Sequence, residues 1–348
     1  MEVVASVDQS ILQSFGLNPR DFIIERIGTG HIHQTFRLAG PSQYVLQRVN
    51  KNVFKQPEII ASNLRLTSDY LRKHFPEYLF LRCVPSTDNQ DIVYDKEDFP
   101  WRLFPFIENT TTLNSVETTD EAYTAAREFA RLTRCLDRIE AGKFQESIPQ
   151  FHDLVWRYQQ FESALLGAAT ERLQLADDCI EASQRMYYLV ERYWGLISSG
   201  SLKLRITHND TKINNILFDA TTRKAVCVID LDTLMPGYFI YDLGDMVRTF
   251  VSPVSEEEKD VSKIVFRKEM YDALLAGYLS EMSSVMSQKE REAIPFAGKM
   301  MTYIMALRFL ADFLNGDTYY HTTYPRQNLV RARNQFMLLQ KIESSLPE

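Results

Sequence analysis

Residues 206–232 read ITHNDTKINNILFDATTRKAVCVIDLD, a polar loop followed by two short apolar strands. His208, Asp210, Lys212 and Asn215 stand at H-x-D-x-K-x-x-N spacing, and Asp230 closes an apolar strand. Phosphoryl transfer asks little covalent chemistry of a protein: it must place a hydroxyl, hold magnesium and offset charge on the transferred group. Asp210 can accept the hydroxyl proton, Lys212 can meet a γ-phosphate, and Asn215 and Asp230 can offer oxygen ligands to a hard cation. Any one of these residues alone is explained as a polar turn between strands. Five of them, spaced between LRIT and VCVID, point to kinase chemistry.

The spacing H-x-D-x-x-x-x-N, followed by a strand ending in Ile-Asp, resembles the aminoglycoside phosphotransferase and choline kinase superfamily of small-molecule kinases. HNDTKINNILFD, VIDLDTLMPG, YDLGDMVR and ALRFLADFLNGDTYY together are most similar to one branch, the N-acetylhexosamine 1-kinases. The likeness runs from the glycine loop near residue 28 to about residue 320. It implies an α+β, protein-kinase-like bilobal fold, with a small β-rich N-lobe carrying one helix and a larger, mainly helical C-lobe. The expected lobes are residues 1–107, holding the nucleotide-binding parts, and residues 108–348, holding the catalytic loop, magnesium site and acceptor site. ATP and Mg2+ are the implied cosubstrate and cofactor.

Composition agrees with this class. A chain of 348 residues exceeds the usual size of a single core, so two lobes are expected. With 39 basic against 46 acidic residues the net charge is −7, which argues against nucleic-acid or anionic-membrane partners. The N-terminus MEVVASVDQS lacks a signal-peptide pattern and no run reaches membrane-span length. Cys83, Cys135, Cys179 and Cys227 are scattered, as reduced cytoplasmic thiols would be. A cytoplasmic monomer or weak homodimer is expected.

Residues 22–107 read as short strands, FIIERI, HQTFRL, QYVLQRV, YLFLRCV, DIVY and WRLFPFI, interrupted by one helix from Pro57 to about His74. After Glu108-Asn109-Thr110, helical spacing takes over at about 119–141, 153–168 and 177–198. It returns at about 262–286, 289–315 and 325–344.

On the nucleotide side, Gly28 and Gly30 with His31 lie between two expected strands, where a kinase folds backbone amides over phosphates. A hairpin turn explains the same glycines. In YVLQRV, Gln47 falls where kinases commonly place a lysine or arginine for the α- and β-phosphates. Side chains alternate along a strand, so Gln47 and Arg48 face opposite ways. Alignment by wording turns Gln47 inward, with Glu58 and Asn63 both open as partners. LFPFIE resembles the hinge, with the Pro105 carbonyl and the Ile107 N–H as adenine contacts.

On the acceptor side, Asp242 and Asp245 in YDLGDMVR read as braces for the catalytic loop. Asp232 shares the side of Asp230 and can meet a metal-bound water or a sugar hydroxyl. The resemblance implies that Arg308 and Tyr319 contact the sugar. His31 and His33, in the glycine turn, can reach over the acceptor, although a turn histidine is usually just solvated. The leading function is therefore an ATP-dependent sugar 1-kinase for N-acetylhexosamines. An amino-alcohol, homoserine or aminoglycoside kinase is the alternative. A catalytically inactive nucleotide-binding fold is a third reading, supported by Gln47 alone.

Overall fold

The computed structural model describes residues 7–27 and 33–346. Its N-terminal sheet is antiparallel: β1 (Ile23–Arg26), β2 (Gln34–Ala39), β3 (Gln43–Arg48), β4 (Val93–Tyr94) and β5 (Pro100–Pro105), in the order β1-β2-β3-β5-β4. The β3–β5 register sets Leu46 opposite Leu103 and Gln47 opposite Arg102. Alternation then divides the faces. Leu46 and Leu103 join Phe36, Leu38 and Trp101 in a small core closed by Ile11, Leu12 and Phe15 from the helix α1 (Gln9–Ser14) and its end. Gln47 and Arg102 point to the opposite face, toward the larger lobe.

Helix α2 (Pro57–His74) has the bounds read from the sequence, with Pro57 in its first turn, where a missing N–H costs nothing. YLFLRCV does not form the expected strand. The free edge of β5 is taken by β4, through Val93–Trp101 and Tyr94–Pro100, so the run contributes only a single bridge, Val84 to Leu103. Helix α1 was not legible in the sequence: six residues are too few to show a period, and only its cap, Asp8 accepting from Ser10 N–H at 2.9 Å, marks it.

The larger lobe is helical around a short β island. Strands β6 (Thr110–Thr111), β8 (Ile216–Asp219) and β9 (Ala225–Val228) form one sheet, and β7 (Arg205–Thr207) pairs with β10 (Met235–Gly237). The helices are α3 (Thr119–Cys135), α4 (Leu154–Gly167), α5 (Thr170–Leu175), α6 (Asp177–Arg185), α7 (Tyr188–Ser198), α8 (Phe239–Phe250), α9 (Lys268–Met282), α10 (Gln288–Glu292), α11 (Ile294–Leu314) and α12 (Gln327–Ser345). The single helices expected over 177–198 and 289–315 are each broken in two. The second break falls where Pro295, in the first turn of α11, cannot donate back to the preceding turn.

Helix α11 is buried along nearly its whole length and packs on α4, α8 and α12. Two glycines let α8 come close. A Cβ on Gly244 would lie 2.4 Å from the Ala297 carbonyl oxygen, and one on Gly298 would lie 2.5 Å from Val247 Cγ1. That contact matters because α8 carries Asp242. No described helix is long and apolar enough to cross a membrane.

Candidate active site

The loop between β7 and β8 is fixed through its backbone. The Asp242 carboxylate accepts from His208 N–H at 3.0 Å and Asn209 N–H at 2.7 Å, and its carbonyl accepts from Thr211 Oγ1 at 2.7 Å. Asn209 holds φ = 65°, a left-handed backbone in which asparagine is favoured. Its buried side chain donates to the carbonyls of Thr207 and Thr233 at 3.0 and 2.8 Å, tying the loop to the β10 connection. Asp245, by contrast, pairs with Arg248 at 2.8 Å and makes no hydrogen bond to the loop among the described residues.

His208 joins the loop to the end of β9. Its Nδ1 accepts from Asp210 N–H at 3.2 Å, so Nε2 carries the proton and donates to the Ile229 carbonyl at 2.9 Å. Asp210, Lys212, Asn215 and Asp230 thereby converge. Lys212 Nζ lies 3.2 Å from Asp210 Oδ1, and Asn215 Nδ2 donates to Asp210 Oδ2 at 3.0 Å. Burial pushes the Asp210 carboxyl up, but the charge of Lys212, with hydrogen bonds from Lys212 and Asn215, outweighs it and holds the pKa below the usual carboxylate range. The Asp210 charge in turn raises the Lys212 ammonium above its ordinary value.

Asp230 occupies a left-handed position, φ = 56° and ψ = 56°, and its carboxylate has no hydrogen bond or ion pair among the described residues. Desolvation inside the cleft, then the charges of Asp232 and Asp210, raise its pKa, while the side chain keeps its access to solvent. A divalent cation would relieve that repulsion. With Asn215 Nδ2 committed to Asp210, the Asn215 Oδ1 is left for a ligand. This pair of oxygen donors fits a hard cation such as magnesium.

Asp232 is 3% exposed and saturated with donors. Arg102 grips both of its oxygens, one at 2.9 Å, and His33 Nε2 donates to Oδ2 at 2.5 Å. Burial opposes this ionisation, but the charge of Arg102 and the hydrogen bonds from His33 and Arg102 hold the carboxyl far below its ordinary value. Because His33 Nδ1 accepts from Asn50 N–H at 3.1 Å, the proton sits on Nε2. His33, Asp230 and Asp232 have ligand atoms within 4.8 Å of one another, but a protonated Nε2 is a donor and not a metal ligand. The same ring stacks on Phe54 at 5.5 Å.

Gln47 has neither Glu58 nor Asn63 as its partner. Its Oε1 accepts from Arg102 Nε and Nη2 at 3.1 and 2.8 Å, and its Nε2 donates to Thr35 Oγ1 at 3.2 Å. Asn63 is taken by the carbonyls of Gln145 and Leu234, and Glu58 by Tyr94. Pro105 ends β5. The Ile107 carbonyl accepts from Thr110 Oγ1 at 2.7 Å, and its N–H has no partner among the described residues. Gly28, Gly30 and His31 lie outside the described residues.

A cavity of about 440 Å³ opens between α4 and α11, lined by Arg157, Gln160, Arg308, Asp312, Tyr319 and Tyr320 among others. His152 connects it to the loop. Its Nε2 contacts the Asn209 carbonyl at 2.8 Å, and the adjacent Phe151 ring lies under the Arg308 guanidinium at 5.0 Å. Arg308 also stacks on Tyr320 at 5.5 Å and has no carboxylate partner among the described residues. Burial and the Arg308 charge lower Arg157 to about 10, and burial lowers His152 to about 3. Tyr319 is 61% exposed at the rim.

A model of the phosphotransferase enzyme family matches residues 23–286. The chain belongs to that family. The phosphotransferase is similar in structure to a microcompartment-associated aminopropanol kinase, with a TM-score of 0.66 at 18% identity over 97% of each chain. It is similar to the amicoumacin kinase hAmiN solved with AMP-PNP, Ca2+ and Ami, with a TM-score of 0.63 at 14% identity over 98% of this chain and 95% of that one. It is also similar to an aminoglycoside phosphotransferase from Alicyclobacillus acidocaldarius, with a TM-score of 0.65 at 11% identity over 99% of this chain and 97% of that one. These likenesses carry the protein-kinase-like fold.

Three side chains of this phosphotransferase were not singled out in the sequence. Arg102 carries a legible signal, a lone cation inside the apolar strand PWRLFP. His152 and Arg157 carry none, because only tertiary packing brings FHDLVWR beside the loop.

Proposed function

We propose that this phosphotransferase is an ATP-dependent kinase that phosphorylates the anomeric hydroxyl of N-acetylhexosamines, giving the sugar 1-phosphate. One observation carries the choice of acceptor: the cavity between α4 and α11, joined to the loop through Phe151 and His152, offers Arg157 and Arg308 and no uncommitted carboxylate. Its one lining acid, Asp312, already accepts from the N–H groups of Thr318, Tyr319 and Tyr320 and from Asn328 Nδ2. A cationic acceptor would meet two like charges there. A neutral polyol with an acetamide oxygen would meet donors.

Asp210, ionised at neutral pH, accepts the proton of the anomeric hydroxyl as that oxygen bonds to the γ-phosphorus and the bond to the β-phosphate oxygen breaks, releasing ADP. Lys212 stays protonated and offsets charge on the transferred group. Asn215 and His208 keep Asp210 in place. Magnesium, held by Asn215 and Asp230, would supply further charge neutralisation. On the nucleotide side we assign adenine to the Pro105 carbonyl and Ile107 N–H, and phosphate contacts to Gly28, Gly30, His31 and Gln47. Arg308 and Tyr319 are assigned to the acceptor, with the lobe boundary at 107/108.

An amino-alcohol or aminoglycoside acceptor is the second reading, supported by the aminopropanol and amicoumacin kinases that share the fold. The convergence of Asp210, Asn215 and Asp230 speaks against an inactive fold. The test is ADP release from ATP and magnesium over a panel of N-acetylglucosamine, N-acetylgalactosamine, choline, aminopropanol, homoserine and an aminoglycoside. Turnover of the hexosamines, with an anomeric phosphate by phosphorus NMR, is the expected result. Turnover of choline or aminopropanol with neither hexosamine replaces this reading with the second.

A further inference from the structure

Strand β3 lacks the cation that a kinase commonly aims at the nucleotide, since Gln47 stands there. The basic side chains nearest to it are engaged elsewhere. Arg48 turns to the other face, where it lies 3.4 Å over the Phe99 ring and 3.6 Å from Glu97. Lys51 donates to the carbonyls of Glu97 and Asp98 at 3.3 and 3.1 Å. Arg37 is held by Gln43 and lies over Phe106 at 4.7 Å.

Arg102 is different. It is the register partner of Gln47 on the neighbouring strand, so its side chain leaves the same face of the sheet. Its guanidinium spans from Gln47 Oε1, with Nε at 3.1 Å and Nη2 at 2.8 Å, to the Asp232 carboxylate, with Nη2 at 2.9 Å and Nη1 also bonded. A guanidinium has five N–H donors. These four bonds leave one Nη1 hydrogen over. Asp232 lies two residues from Asp230, so the charge is anchored to the loop that carries a candidate magnesium ligand. Arginine's planar fork suits phosphate oxygens.

We propose that Arg102 is the cation that meets the α- and β-phosphates of the nucleotide, moved one strand over from its usual place. Asp232 acts as its carboxylate partner and Gln47 as its guide. This assignment rests on the kinase reading of the site. It also explains how Gln47 is compatible with an active enzyme: the charge missing from β3 is present on β5.

A buried ion pair that only braces the lobes would look alike, so the test must read phosphate recognition itself. Calorimetry on the full chain compares ADP with adenosine in the presence of EDTA, which removes the contribution of metal. Arg102→Gln combined with Asp232→Asn deletes both charges and leaves no unpaired buried ion. ADP should bind at least tenfold more weakly to this variant, while adenosine changes less than twofold. Adding Gln47→Lys to it returns a cation to β3 and should recover most of the ADP affinity. Arg102→Lys, which keeps the charge and the pair, should lose less than the double variant. Equal weakening of ADP and adenosine, or unchanged ADP binding, overturns the proposal. Wild-type protein that binds neither ligand overturns the nucleotide reading of the cleft and this assignment with it.

Discussion

Asn215 donates from Nδ2 to the Asp210 carboxylate at 3.0 Å and to the Asp210 carbonyl at 2.8 Å, so one amide fixes the candidate base and turns its own oxygen outward. The two functions assigned to this loop, proton acceptance and metal binding, are thereby joined in a single side chain. Perturbing either should be visible in the other.

Asp210→Asn removes the proton acceptor while keeping the shape of the side chain. Turnover on the best acceptor should fall by about two to four orders of magnitude, the range for loss of a general base. The Kd for Mg·ATP should stay within a few-fold. Near-normal turnover would remove Asp210 from the role.

Asp230→Asn is the cleaner probe of metal binding than alanine, because asparagine tolerates the left-handed backbone at φ = 56°. The magnesium concentration for half-maximal activity should rise at least tenfold. Titrating magnesium at saturating ATP measures this. An unchanged requirement would show that the charge of Asp230 does not bind the ion.

Arg308→Ala should lower kcat/KM for an N-acetylhexosamine at least tenfold, about 1.4 kcal/mol, and leave the KM for ATP unaltered. Steady-state kinetics with varied sugar, then varied ATP, separates the two. Equal losses on both would mean that Arg308 serves packing against Phe151 and Tyr320.

His152 gives the fold a pH dependence of predictable sign. Burial lowers its pKa to about 3, whereas the unfolded chain takes up the proton near the ordinary value of 6.5. The folded state binds fewer protons between these values. Its stabilising effect is therefore complete above 6.5 and drains away as pH falls toward 3. Between pH 6.5 and 5, above most carboxylate titration, urea unfolding should show stability falling by up to about 1.4 kcal/mol per pH unit from this group. His152→Gln should flatten that slope.

Gly244→Ala places a Cβ 2.4 Å from the Ala297 carbonyl oxygen, which is backbone and cannot swing aside. Overpacking of this kind costs about 1–3 kcal/mol. The urea midpoint should drop accordingly, and turnover should fall with it if α8 shifts Asp242 from the loop amides.

The grouping of the candidate site residues is more legible in the sequence than their electrostatics. Asp210, Lys212, Asn215 and Asp230 are close in the chain, on one strand–turn–strand unit, so spacing alone brought them together. The lobe architecture and α2 were legible for the same reason, through local period and a well-placed proline. From the sequence Asp232 reads as a partner for a metal-bound water or a sugar hydroxyl, whereas in the fold Arg102 and His33 bond to its oxygens. Those partners lie more than a hundred residues upstream, where strand register and not spacing decides contact. Cys227 in VCVID is fully buried, as its apolar neighbours suggested. The cavity was half visible: Arg308 and Tyr319 came from resemblance, but Arg157 and His152 depend on how α4 docks against α11.

Arg308, Ala311 and Asp312 line the cavity along a single stripe of α11, with Asn315 at the cap that ends the helix. A wall made of a helix clamped on its other sides cannot swell or slide to suit a guest. If this cavity holds the acceptor as proposed, the side chains along that stripe set the shape it meets on this side. A lineage or an engineer wishing to change the guest would do so by exchanging side chains along that stripe, since lengthening a rim loop would leave the wall where it is.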